Sequence, residues 1–389
     1  MHEYIVIDVE TTIFCKGNPF SRRNECCYIG FGDARHQEVL EGPFSRQDLD
    51  RLRTAIQRAK VIVAFNAKFD FHWLERLGVT EWKDKTIWDL QIAEFVMSGQ
   101  RHVMPSLEQS LTRFTLPKKL DIVRLEYWEK GIDTPNIPRD LMVSYTTQDV
   151  LSESLLYERQ LTALDGQWKM LRLVKLCNKD LLTIQEMEYN GSKFNTVKAL
   201  EDAKRLDRER LSIRDGLRRR FGVPRLNPGS SDHISACLFG GTVVSKWKHP
   251  YLRIRKGEEI IGFKHFEERH HKERIIEPLK QYKLDKAGMY SASADHLRSL
   301  RPNREVKGIL QQLARYAELD KLIGTYLTKL PKLIEEMDWP EDRIHGQFNQ
   351  CVVVTGRLSS SKPNRQNEPP DVKFYFESEF PNEIAENNR

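Results

Sequence analysis

Two acidic side chains, Asp8 and Glu10, stand at the end of the run Ile5-Val6-Ile7-Asp8-Val9-Glu10-Thr11-Thr12. Successive branched apolar residues predict a strand buried on both faces. Side chains alternate along a strand, so the two carboxylates project from the same face. Neighbouring acids at the end of a buried strand repel each other and lose hydration. A divalent cation would remove both penalties, while a solvated strand end with chance acids is the plainer alternative. Further acids brought to the same place decide between the two. Asp70 falls in the first turn of a predicted helix that follows the apolar run Val61-Ile62-Val63-Ala64-Phe65 and Asn66. Tyr145 and Asp149, four apart on a long predicted helix, share a face and can carry a phenol and a further carboxylate toward Asp8 and Glu10.

The elements that must position these groups alternate between strand and helix. After the first strand, Cys27–Gly32 reads as a second strand. Ser45–Lys60 reads as a helix with Ser45 as its N-cap and Leu49, Leu52 and Ile56 on one side. The helix after Asn66 carries Phe69, Trp73 and Leu77 on one stripe. This alternation predicts an α/β layered fold with the acids at one edge. Residues 105–138 read as short helices and loops, and Pro138 opens the long helix that runs to about Leu164. Beyond Gly166 the pattern is mainly helical. Thr196–Phe221 reads as a charged helical hairpin, 242–305 as a mixed insertion with short β-like runs, and 304–337 again as helix.

Composition narrows the class of protein. The chain has 389 residues, 39% hydrophobic and 30% charged, with a formal net charge of +6. That suits a soluble protein of two or three domains. No run approaches the roughly 20 apolar residues of a membrane span. The six scattered cysteines offer no Cys-x-x-Cys pair, which points to free thiols in a reducing cytoplasm. Between Glu201 and Arg225 nine Lys/Arg face five Asp/Glu. Such a segment suits a polyanion, or equally a solvated helix face laced with ion pairs. His265, His270 and His271 lack the convergent carboxylate or thiol pattern of a metal site.

Three groups of residues carry a resemblance. Asp8-x-Glu10 on a first strand, Asn66-Ala67-Lys68-Phe69-Asp70 after a later strand, and Tyr145-x-x-x-Asp149 on a helix resemble the motifs of DEDD-type 3′→5′ exonucleases, in the tyrosine subgroup that proofreads for DNA polymerases. Leu313–Leu322, Tyr326–Pro331, Thr355-Gly356-Arg357-Leu358-Ser359-Ser360 and Pro363-Asn364-x-Gln366-Asn367 are similar to the thumb and the start of the palm in family A DNA polymerases. The Gly17-Asn18-Pro19-Phe20 loop looks like the bacteriophage branch. Arg365 and Glu368 depart from the family pattern, which has leucine and an apolar residue there. The palm aspartate and fingers motifs of the family are absent from these 389 residues.

The resemblance implies an RNase H-like exonuclease domain at 1–165, a thumb-like helical region at 166–330 and an incomplete palm at 331–389. It implies phosphodiester hydrolysis with two divalent ions, Mg²⁺ or Mn²⁺. Asp8 would bridge both, Glu10 and Asp149 would complete one site, and Asp70 the other. Tyr145 would orient the attacking water, or else simply pack. Asn66 would steady the scissile strand, or cap its helix. Arg357, Asn364, Gln366 and Asn367 would contact DNA. The expected partners are a single-stranded 3′ end, primer-template DNA and a second polypeptide carrying the rest of a polymerase, with no polymerisation by this chain alone. Two further classes stay in view: a DNA-binding assembly subunit, and a nuclease that processes DNA or RNA ends alone. A palm-like segment left incomplete is expected to expose Phe374, Tyr375, Phe376 and Phe380.

Overall fold

The computed structural model describes residues 3–118, 121–255, 258–285 and 289–378. These residues form two compact units: unit 1 comprises 1–195 with 333–389, and unit 2 comprises 196–332.

Unit 1 is built on a five-stranded sheet. Its strands are β1 (Tyr4–Thr11), β2 (Cys26–Gly32), β3 (Gln37–Glu41), β4 (Val61–Ala64) and β5 (Thr86–Asp89), in the order β3-β2-β1-β4-β5. β1 runs antiparallel to β2 and parallel to β4, and β4 runs parallel to β5. The parallel strands therefore end at one edge of the sheet, where a bulge follows Glu10. Helices α1 (Arg46–Arg58) and α2 (Lys68–Arg76) bracket β4, and α3 (Leu90–Met97) leaves β5 directly. Ser45 and Asp48 form a reciprocal capping box at α1, as the Ser-x-x-acid pattern dictates. Two short helices, α4 (Leu107–Arg113) and α5 (Ile122–Glu126), precede the long α6 (Arg139–Ala163) and α7 (Trp168–Asn190).

Val6, Ile7, Ile62, Val63, Leu52, Ile56 and Leu74 are fully buried in one core, with Phe71 stacked on Trp82 at 4.3 Å. Burial of each such aliphatic side chain contributes about 1.5–3 kcal/mol. Val174 and Leu181 of α7 join this core, as does Cys351 from the far end of the chain. The division read by likeness, with the nuclease closing near 165, is thus a different thing from the packing unit.

Unit 2 begins with β6's neighbour in sequence: after β6 (Ser192–Lys193, still in unit 1) comes α8 (Thr196–Phe221), a single 26-residue helix and not the expected hairpin. No turn residue interrupts it, since Gly216 has open space around it and an ordinary helical backbone. Five of its arginines form ion pairs within the unit. Arg205 pairs with Asp202, Arg210 with Asp207 and Asp320, Arg214 and Arg218 with Asp215, and Arg220 with Glu305. Ion pairs thus lace part of this segment's face.

Next come α9 (Ser231–Phe239) and a ribbon of two 15-residue strands, β7 (Gly241–Arg255) and β8 (Glu258–Lys272). The β-like runs of the insertion are therefore one continuous hairpin. Helices α10 (Ala294–Ser299) and α11 (Arg304–Lys321) follow, with a π-helical turn at Leu322–Leu327 leading into α12 (Lys329–Met337). Leu217, Phe221, Leu226, Leu238, Val243 and Leu313 lie in the core of this unit.

The chain then returns to unit 1. β9 (Arg343–Ile344) pairs with β6, and β10 (Gln347–Asn349) pairs with β11 (Ser359–Ser361). The final described helix is α13 (Pro370–Lys373). The expected exposure of the terminal aromatics is corrected in part. Tyr375 is buried, and Phe376 bridges Phe194 with rings 5.1 Å apart. Their cover is Phe194 itself, a residue too distant in sequence to be foreseen as a partner. Phe374 does stay exposed, at 76%, and Phe380 lies outside the described residues.

Candidate active site

Strand β1 and helix α6 build the site together. Asp8 is the cross-strand partner of Gly30 on β2, and Glu10 that of Tyr28. A Cβ at Gly30 would come 2.6 Å from Thr146 and 2.7 Å from Val150 of α6. The missing side chain lets α6 lie close on the sheet. Cross-strand partners share a face, so Asp8 and Glu10 project toward α6. Asp149 comes down from that helix, and oxygens of Asp8, Glu10 and Asp149 lie within 4.8 Å of one another. Glu10 and Asp149 are 8% and 2% exposed.

Asp70, on α2, stands beside this group and not inside it. Its Oδ1 accepts the backbone N–H of Val9 at 3.1 Å, which ties α2 to the middle of the acidic strand. Burial pushes the Asp70 carboxyl up, the charge of Asp8 pushes it further, and the Val9 N–H only partly opposes them. Tyr145, buried one turn before Asp149, packs edge-on against Trp128 at 5.6 Å. Burial raises its phenol, followed by the charges of Glu10, Asp149 and Asp8 and by a hydrogen bond to Asp149. The phenol therefore holds its proton.

Asn66 follows β4 in the left-handed region, with φ of 62°, and is exposed. Helix α2 has no side-chain cap there, so of the two readings for Asn66 the capping one is absent. The turn is held from elsewhere: Asp89 accepts the N–H of Ala67 at 2.8 Å and caps α3 through the N–H of Ile92 at 2.9 Å. Asp89 and Gly30 were not singled out from the sequence. Their signals were present, an acid at a strand-to-helix junction and a glycine inside a strand.

The four residues expected to touch DNA occupy the returning segment of unit 1. Arg357, Asn364, Gln366 and Asn367 are all exposed. Asn364 accepts the N–H of Gln366 at 3.0 Å, and Gln366 donates to the carbonyl of Leu358 at 3.2 Å. The two departures from the family pattern meet each other. Arg365 Nε lies 2.6 Å from Glu368 Oε1, and its guanidinium sits 4.1 Å over Phe376. Of the three histidines on β8, alternation puts His270 on the face opposite His265 and His271. The acidic group is the metal-competent cluster found among the described residues.

A second buried polar constellation surrounds Glu188 near the end of α7. Lys68 Nζ lies 2.6 Å from its Oε1 and also donates to the carbonyl of Phe348. His72 Nε2 is 3.0 Å from its Oε2, and the Phe348 N–H donates to Oε1. Gln185 donates to His72 Nδ1, which places the imidazole proton on Nε2. His345 contacts the Glu188 carbonyl at 2.9 Å and stacks on Phe20 at 4.0 Å. Burial alone would raise Glu188, but the His72 hydrogen bond and the Lys68 charge outweigh it and hold the carboxyl below its usual range. Burial pushes the His72 imidazole down, against the pull of that bond.

Comparison with known proteins follows the two halves of this description. The family model described as 3′–5′ exonuclease matches residues 1–162, and that of DNA polymerase family A matches residues 265–384. Over 87 residues the chain is 45% identical to the thermostable DNA polymerase I of Thermus aquaticus, which is 22% of this chain and 10% of that one. It is 25% identical over 311 residues to DNA polymerase I of Chloroflexus aurantiacus, covering 79% of this chain and 28% of the relative. The POL domain of Pol1 from M. smegmatis, solved in complex with DNA primer-template and dNTP, has a similar fold. Its TM-score is 0.64 at 18% identity, over 95% of this chain and 53% of that chain. The matches thus span from a tenth to about half of the relatives' own length.

Proposed function

We propose that this chain, whose residues 1–162 match the 3′–5′ exonuclease family model and whose residues 265–384 match that of DNA polymerase family A, removes nucleotides from the 3′ end of single-stranded DNA. The observation that carries this reading is the meeting of Asp8 and Glu10 from β1 with Asp149 from α6.

The donor set fits divalent cations. It is all carboxylate, with neither imidazole nor thiolate, which suits hard ions such as Mg²⁺ or Mn²⁺. Asp8, Glu10 and Asp149 would hold one ion, with Asp8 shared toward a second that Asp70 completes. Bound there, such ions supply an activated water and stabilise charge on the leaving oxygen. The chain's own groups do the rest. Tyr145 holds its proton and orients the water through the hydroxyl that Asp149 anchors. Asn66, exposed at the turn that Asp89 fixes, offers an amide to the strand being cut. Arg357, Asn364, Gln366 and Asn367 offer donors to primer-template DNA. A frayed 3′ end is read by its backbone and stacking more than by base identity.

Release of mononucleotides from labelled single-stranded DNA, with and without Mg²⁺, tests the proposal. Asp8→Ala and Asp149→Ala are expected to abolish the Mg²⁺-dependent release while melting as folded proteins. Wild-type rates in either variant would refute it.

A further inference from the structure

The β7–β8 ribbon plays no part in that chemistry, yet most of its described side chains are exposed. Its strands pair without a break from Gly241↔Lys272 to Arg255↔Glu258. Only the base is buried, through Val243 and Ser245. From Lys246 and Glu267 outward its described side chains are exposed or half-buried, Gly262 excepted. A two-stranded ribbon is marginal in water by itself, so what its faces display is informative.

Cross-strand partners share a face, and the two faces differ. On one, Trp247 stacks on Phe266 at 5.5 Å and 14°. The guanidinium of Arg225 covers the Trp247 ring at 3.8 Å. Farther out, Tyr251 faces Gly262, with the Lys264 ammonium 5.5 Å from its ring, and Arg253 follows. A Cβ at Gly262 would lie 2.8 Å from the Tyr251 ring, so only glycine lets that ring lie across the partner strand. Cations and ring faces therefore alternate over about 20 Å of ribbon. Arg225, Lys264 and Arg253 form no ion pair among the described residues, and Glu268, nearer the base, is taken up by His270 at 2.9 Å.

The opposite face is neutralised near its base, while Lys248 farther out lies 5.9 Å from the Phe263 ring. Glu267 pairs there with Lys246 at 3.3 Å and with Arg269 at 2.6 Å. Beyond them that face presents Pro250, Leu252, Ile261 and Phe263.

An exposed row of ring faces interleaved with uncompensated cations complements a flexible polyanion with planar, unpaired bases. We infer that this face of the ribbon binds single-stranded DNA. Bases stack on Phe266 and Tyr251, and phosphates lie against Arg225, Lys264 and Arg253. The inference is independent of the nuclease reading, because it needs neither the acids nor a 3′ end.

The test is fluorescence anisotropy of a labelled circular oligo-dT, which offers no 3′ end, titrated with the full chain in EDTA. Tyr251→Ala with Phe266→Ala is expected to weaken binding by about 10-fold or more. Arg253→Gln with Lys264→Gln should reduce the slope of log K against log salt by about 1.4, at roughly 0.7 per phosphate contact on a single strand. Leu252→Ala with Ile261→Ala, on the other face, should leave affinity unchanged. Melting midpoints separate lost contacts from lost fold, and the Arg253/Lys264 pair decides if the ring variant is unstable. Unchanged affinity in folded variants would overturn the inference. So would an equal loss from the apolar face, or an equal loss toward blunt duplex of the same length.

Discussion

Asp70 and Glu188 are both carboxylates on helices of unit 1, and they are 3% and 4% exposed. Their surroundings drive them in opposite directions. Asp70 is pushed up by burial and by the charges of Asp8 and Asp89. Glu188 is held down because His72 and Lys68 outweigh its burial. Depth therefore does not determine what a buried acid is for; the sign of its neighbours does. Glu188 carries its counter-charge within the chain and works as a structural clamp. Asp70 sits among like charges, a state relieved by a cation from solution.

Asp70 is where the two acids part most widely. Asp70→Asn keeps an acceptor for the Val9 N–H and removes one repelling charge. Mg²⁺-dependent nucleotide release should fall on the order of 10³- to 10⁵-fold, while the metal-free protein gains stability by roughly 1 kcal/mol in urea titrations. A destabilised Asp70→Asn would place the two acids in one class. Glu188→Ala should do the reverse. It strands Lys68 and the Phe348 N–H, costing about 3–5 kcal/mol of stability; unchanged unfolding midpoints would disprove the clamp.

Tyr145→Phe comes next. The ring keeps its place against Trp128 and only the hydroxyl is lost, so the rate should drop by about 10- to 1,000-fold. Metal binding, followed by Mn²⁺ titration, should be retained; its collapse would make Tyr145 a structural residue.

The smallest effect concerns pH. Burial pushes His345 down to about 4. The unfolded chain takes up that proton near pH 6.5, the folded chain only near 4, so the unfolded state binds it first. Stability should therefore decline as pH falls from 6.5 toward 4, by on the order of 1–2 kcal/mol at pH 5. Flat stability across pH 7 to 5 in urea titrations would contradict this.

The legibility of the two regions differed for physical reasons. Asp8 and Glu10 were readable because strand alternation is local, and Tyr145 and Asp149 because helical spacing is local. The order of strands and helices in unit 1 followed from apolar runs and turn residues for the same reason. What joins β1 to α6 is Gly30, whose role exists only once the helix has packed. The Glu188 group was invisible, since Lys68, His72, His345 and Phe348 lie 116 to 160 residues from it along the chain and no periodicity links them. Within unit 2 the ribbon read as disconnected short runs because Pro250 and Gly262 interrupt strand propensity in the middle of strands that pairing nonetheless sustains. The shelter of Tyr375 by Phe194 is of the same non-local kind.

Unit 1 leaves off at Asn195 and resumes at Leu333. A ribosome delivers the chain in order, so Cys351, the Phe348 carbonyl that Lys68 grips and the Tyr375 that covers Phe194 all emerge after unit 2. At about 5–20 residues per second, that interval is on the order of ten seconds. Throughout it the nascent sheet and its helices wait with Glu188 short of a donor and part of the core uncovered. Unit 2, continuous in sequence, can complete itself first. The acids that stand earliest in the chain thus sit in the unit whose last core residues are among the latest to be made.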